Sequence, residues 1–203
     1  MATIDQSQFN KSRLDKFLLV TDVPDVLKEI TTNDLAGRKN NSLIGESLQF
    51  SVYGTVVPTI AVPENDLRYA GQTLKVSSHV RPSYDNVSVN FTIDNMFNNY
   101  WTIYKWLDFL NDEKFSKFNQ KELANIPTVA PEDREKDTLT PTDLYTRDFT
   151  IFGKDEFDNN IIKFTYTKAF PVSLGNISYS YREPGEIETT FEFAFSQLLV
   201  ELV

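Results

Sequence analysis

From Val87 to Asp94 the chain alternates without a break: Val87, Val89, Phe91 and Ile93 are apolar, and Ser88, Asn90, Thr92 and Asp94 are polar. Successive side chains of a strand point to opposite faces, so this segment reads as a strand with one face in a core and the other in water or a polar contact. The same period recurs in Ile162, Phe164 and Tyr166, in Ile177, Tyr179 and Tyr181, in Phe191, Phe193 and Phe195, and over Leu48, Phe50 and Val52. Further strands are read at Phe17–Val20, Val56–Ile60, Gln72–Ser77 and Phe149–Gly153, and the chain closes on the apolar Leu198-Leu199-Val200. Turn chemistry falls at Pro63–Asp66, Pro82–Asn86, Lys154–Asn160 and Glu183–Glu186, and the step Ala169-Phe170-Pro171 is read as the end of the strand begun at Ile162.

One segment changes period. Across residues 97–111, Phe97, Trp101, Tyr104, Leu107 and Leu110 recur at spacings of three and four, broadened by Ile103 and Trp106. That is an apolar helix stripe, with Asn98 or Asn99 placed to cap its start. Strands, one helix, then strands again predict a mainly β fold: an antiparallel β-sandwich or barrel with one covering α-helix. We expect one domain over 1–203, with a flexible N-terminal arm 1–14, a helical turn at Val26–Ile30, a loop 31–47 and an inserted loop 112–146 carrying Pro127, Pro131 and Pro141.

Composition narrows the function. With 40% hydrophobic and 13% aromatic residues the chain has the apolar material for a core. It contains no cysteine, which removes disulfides, zinc–thiolate sites, iron–sulfur clusters and thiol nucleophiles. A single histidine, His79, rules out a several-histidine metal site within one subunit. No Gly-x-Ser-x-Gly elbow accompanies it, and no P-loop or glycine-rich dinucleotide motif is present. Asp155, Glu156 and Asp158 cluster in a turn but lack the glycine and terminal glutamate of a calcium-binding loop. The chain is therefore expected to be no enzyme and to hold no cofactor or metal. Its net charge of −9 argues against gripping nucleic acid through phosphates, which needs a basic face. No apolar run reaches membrane-spanning length and the start carries no basic and apolar leader pattern, so a soluble protein with no membrane anchor, made in a cytoplasm, is expected.

The order of segments resembles the tail tube proteins of contractile-tailed bacteriophages, related in fold to the tubes of contractile injection systems. Two blocks carry the resemblance. One is Val56-Val57-Pro58, the loop Pro63–Tyr69, the strand Val87–Asp94 and the aromatic helix Asn98–Asn111 with Trp106. The other runs from Phe149–Gly153 through Ile161–Thr167 and Lys168–Gly175 to Ile177–Tyr181 and Thr189–Phe195. The loop 31–47 and the insertion 112–146 depart from a compact tube subunit. The resemblance implies a tail-tube-like fold and a structural virion protein: hexameric rings stacked into a tube that conducts DNA without binding it specifically. It implies as partners further copies of the chain, a sheath, a baseplate and a terminator, with assembly in the host cytoplasm. A specialised baseplate or terminator ring of the same fold is one alternative. A non-catalytic binding module for a receptor or carbohydrate is the other. The polar strand faces are then the candidate lining, with Asp94, Glu188 and Glu192 as candidate lumen-facing residues. The arm 1–14, the loop 31–47 and the C-terminal Glu201-Leu202-Val203 are candidates for contacts between rings or with a sheath.

Overall fold

The structure is a computed structural model that describes residues 11–24, 27–28, 51–110, 145–182 and 185–203. The loop 31–47, residues 1–10 of the arm, Leu48 and Phe50 and most of the 112–146 insertion lie outside the described residues. The strands are β1 (Phe17–Thr21), β2 (Val52–Thr55), β3 (Glu64–Tyr69), β4 (Gln72–Ser77), β5 (Val87–Thr92), β6 (Arg147–Lys154), β7 (Asn160–Leu174), β8 (Glu188–Ala194) and β9 (Gln197–Leu202). The helix α1 spans Asn98–Leu110. Leu27 and Lys28 form a helical turn as expected, with the Lys28 N–H donating to the Pro24 carbonyl at 3.0 Å.

All ladders are antiparallel, and one strand belongs to two sheets. The first half of β7 pairs with β6 on one side and β9 on the other, and β1 extends this sheet beyond β6. The second half of β7 pairs with β8, followed by β5 and β2. The crossing point is Lys168, whose φ of +52° lies in the left-handed region and turns the strand. The two sheets close on each other through aromatic rings. Phe193 of the second sheet meets Phe149 at 4.8 Å and Tyr166 at 5.3 Å, both from the first, in edge-to-face geometry. Val87, Val89, Phe91, Phe191, Leu19, Ile151 and Leu198 join them in the core, with Ile103, Trp106 and Phe109 from α1, which is why the alternations at Val87–Ile93 and Phe191–Phe193 mark strands with one buried face.

Tyr166 is fully buried, and its hydroxyl has no hydrogen-bond partner among the described residues. Burial pushes its ionisation above the ordinary tyrosine range. The folded state therefore keeps the proton where the unfolded chain releases it, and this site's stability falls as pH rises past about 10. Tyr166→Phe removes an unpaired polar atom without opening a cavity. We expect urea unfolding to show a gain of about 1 kcal/mol at neutral pH and a flatter alkaline decline. A loss of stability on this substitution would mean that the hydroxyl is satisfied in the folded protein.

Several sequence expectations are corrected. Pro63–Asp66 is not a turn; Glu64–Asp66 open β3, and the turn lies at Ala70-Gly71, both in the left-handed region. Val56–Ile60 is not a strand: it is largely exposed, and no strand of the described residues pairs with it. Nor does Ala169-Phe170-Pro171 end a strand, because β7 runs on to Leu174. Pro171 is tolerated where β7 has a neighbour on one side only, so a missing N–H at the open edge costs no ladder bond. Ile177–Tyr181 is irregular, with Tyr179 and Tyr181 exposed, because no neighbouring strand receives it. Tyr145, which the expected insertion 112–146 includes, packs its ring on Phe170, and its carbonyl accepts from Trp106 Nε1 at 2.8 Å.

The helix forms as expected but turns differently. Its buried side is Asn98, Asn99, Thr102, Ile103, Trp106 and Phe109, not the stripe through Trp101 and Tyr104. Trp101 and Tyr104 stack on each other half-exposed, with Lys105 Nζ over the Trp101 ring at 4.9 Å. Asn99 is buried because its amide is used in full. Its Oδ1 accepts from the N–H groups of Asp94 and Tyr100, and its Nδ2 donates to Ser51 Oγ and the Thr92 carbonyl.

Candidate functional site

The outer face of the second sheet is a polar surface built by strands in register. Three rows cross it. Ser173 of β7 stands beside Glu192 of β8, which stands beside Ser88 of β5. Thr190 stands beside Asn90, and Asn90 beside Gly54 of β2. Glu188 stands beside Thr92. The alternation that sends Phe191, Phe193, Val89 and Phe91 into the core sends these residues out.

The rows are tied together. Thr190 Oγ1 donates to Asn90 Oδ1 at 2.7 Å, and Tyr53 Oη donates to Glu188 Oε2 at 2.9 Å. Gly54 leaves room for the Asn90 amide, since a Cβ there would sit 3.0 Å from Asn90 Nδ2. Most of these side chains are short and half-buried, so the face is flat, with the carboxylates of Glu188 and Glu192 as its charges. No lysine or arginine occurs in β2, β5, β8 or the second half of β7. The other sheet differs: Arg147, Lys154, Lys163 and Lys168 all lie on β6 and the first half of β7.

The sequence-based candidates thus separate. Glu188 and Glu192 share this face. Asp94 does not stand on its ladder; it follows β5, and its Oδ1 accepts from the N–H groups of Met96 at 3.1 Å and Asn98 at 2.8 Å. Asp94 is thereby the residue that leads the chain from β5 into α1. Sequence reading missed Tyr53, which only the pairing of β2 with β5 brings to Glu188. It also missed the excursion between β2 and β5, where Val56, Ile60, Val62, Leu67 and Leu74 are exposed. The run Val56-Val57-Pro58-Thr59-Ile60-Ala61-Val62 was its available signal.

His79 stands at the end of the excursion, exposed, with its N–H donating to Ser77 Oγ. The Asp155 carboxylate is taken up by the N–H groups of Phe157 and Asn159 and by the Asn159 side chain. Among the described residues no group of three or more His, Cys, Asp or Glu is arranged to hold a metal ion, and no helix is long and apolar enough to cross a membrane. What the face can do is present a smooth, anionic wall that repels a polyanion.

A family model described as "Phage tail tube protein" matches residues 15–201. Among solved structures, the chain is similar to one in the sheath–tube complex of an extracellular contractile injection system, PVC, in its extended state: 11% identity, 97% of this chain and 95% of that one, TM-score 0.52. It is also similar to the tube-terminating cap of the anti-feeding prophage: 12% identity, 100% of both chains, TM-score 0.57. The sheath/tube terminator of PVC in its extended state gives 10% identity over 95% of this chain and 97% of that one, with a TM-score of 0.51. At these identities the likeness is one of fold. No curated protein sequence matches the chain.

Proposed function

The chain belongs to the phage tail tube protein family and is a structural component of a phage tail; from this premise we propose that it forms hexameric rings that stack into the inner tube, a conduit for DNA. The observation that carries the proposal is the uncharged-to-acidic outer face of the second sheet, open at both edges. Among the described residues, β2 has no neighbour beyond β5, and the second half of β7 has none beyond β8. Unpaired strand edges favour another strand, and a heterologous edge-to-edge contact closes into a ring when its rotation allows. Joining β2 of one copy to β7 of the next makes one continuous barrel whose inner wall carries Glu188 and Glu192. Duplex DNA slides past such a wall because nothing on it binds phosphate and releases counterions. Asp94 lies at the rim of this wall, its carboxylate already engaged by backbone.

The similar structures belong to a sheath–tube complex, a tube-terminating cap and a sheath/tube terminator, and we take a sheath, a baseplate and a terminator as this chain's partners besides itself. Assembly takes place in the host cytoplasm. A terminating ring is the second reading, favoured by the full mutual coverage with the anti-feeding prophage cap.

Negative-stain electron microscopy over a concentration series tests the proposal. Hollow tubes with a central channel are expected at high protein concentration. Rings that never stack would favour the terminating ring. A monomer that forms neither, even with a tube-initiating baseplate complex, would overturn the assembly and leave a binding module as the better reading.

A further inference from the structure

Two parts of the chain are apolar and exposed, each with at least one side that no strand of the described residues pairs, and they match in length. The first is the segment Val57–Val62 between β2 and β3, where Val57, Ile60 and Val62 are 39–50% exposed. It leads into the β3–β4 hairpin, whose paired residues are nearly all exposed, and the Ser78 N–H donates to the Pro63 carbonyl at 2.9 Å, holding the two legs together. The second is β9, which among the described residues pairs with β7 on one side only. Leu199, Val200 and Leu202 of β9 are 45–84% exposed. No backbone hydrogen bond joins the two parts within one chain.

Resting on the tube reading above, we propose that Val57–Val62 of one copy adds as a strand to the free edge of β9 in another copy. An exposed edge presents a row of unsatisfied N–H and C=O groups that an extended segment completes, while side chains from both strands cover one another. The proline sets the register. Along a strand, the N–H groups of alternate residues point to the same side. Pro58 has none, so it belongs on the outer side, with Ile60 and Val62. Val57, Thr59 and Ala61 then direct their N–H groups at β9. Pro58 also caps the newly made edge against a further strand, and Pro63 ends the pairing.

The cysteine-free chain makes a direct test. Proteins carrying Thr59→Cys or Ile60→Cys are mixed with proteins carrying Leu199→Cys, Val200→Cys or Glu201→Cys, assembled, oxidised and run on non-reducing gels. Mixed dimers are expected, strong at particular rungs. In the same background Ala61→Pro removes an N–H aimed at β9 and lowers the cross-link yield about tenfold, the equivalent of one lost hydrogen bond. Ile60→Pro removes an outward N–H and leaves the yield close to unchanged. Tubes or rings that form without any cross-link overturn the strand addition and leave the tube reading standing. Equal effects of Ala61→Pro and Ile60→Pro overturn the register and with it the strand. Absence of any oligomer overturns both readings.

Discussion

Phe193→Ala is expected to destabilise the subunit by about 3–5 kcal/mol, the range for deleting a fully buried phenylalanine ring. Phe193 is 0% exposed and lies within edge-to-face distance of Phe149 and Tyr166, with Phe191 and Phe195 as further ring neighbours. Those contacts come from both sheets, so the cavity opens at the seam where the layers meet rather than within one of them. Collapse into it is hindered because its walls are strands held in ladders on each side. For a chain of this size the midpoint of thermal unfolding should drop by about 6–20 °C. Circular dichroism on dissociated protein measures it, since assembly would add its own stability. Phe195→Ala, at a half-buried position in the same cluster, should cost clearly less. Equal costs for the two would mean that the seam is not centred on Phe193.

The second large effect concerns passage of DNA. In tubes assembled from the double variant Glu188→Lys/Glu192→Lys, linear duplex DNA is expected to be retained, whereas tubes of the unaltered chain release it. Each substitution replaces a repelling carboxylate by an ammonium that pairs with phosphate and liberates counterions. Retention should accordingly weaken by about 10³–10⁵ between 50 and 200 mM salt once several phosphates are engaged per ring. Both positions lie outside the core, so folding should survive, with the Tyr53 hydrogen bond to Glu188 as the local loss. Glu188→Gln/Glu192→Gln should show little retention, because removing repulsion alone supplies no phosphate contact. Nuclease protection separates inside from outside. DNA held by the Lys variant but fully digestible would place this face on the exterior and refute it as the lumen wall.

The strands with one buried face were readable from residue order because burial imposes a strict rhythm, as in Val87–Thr92 and Thr189–Phe193. The partners of each strand were not, since pairing depends on residues a hundred positions apart, such as Asn90 and Thr190. Hence Glu188 and Glu192 were recognisable as outward-facing, but not their union with Ser88, Asn90 and Tyr53 on one wall. The helix shows a different limit. Its orientation was misjudged because apolarity favours Trp101 and Tyr104, whereas Asn99 and Thr102 are buried through hydrogen bonds that only the folded surroundings supply. Pro63 and Pro171 misled for a related reason. Proline signals a break only where a neighbour needs its N–H, and neither position borders such a neighbour on its open side. Asp94 looked like one more polar residue in the rhythm, and its capping role follows from the turn into α1.

The passage of β7 through both sheets has a mechanical consequence. In most sandwiches the layers are joined by loops and packed side chains, and they slip when sheared. Here one uninterrupted backbone is woven through both, so a pull applied to the first sheet reaches the second along peptide bonds. Shear between the layers has to unpeel the ladder of β7 rung by rung. The subunit is thus built to be stiff along the direction of its longest strand, with Lys168 as the corner at which tension changes layer.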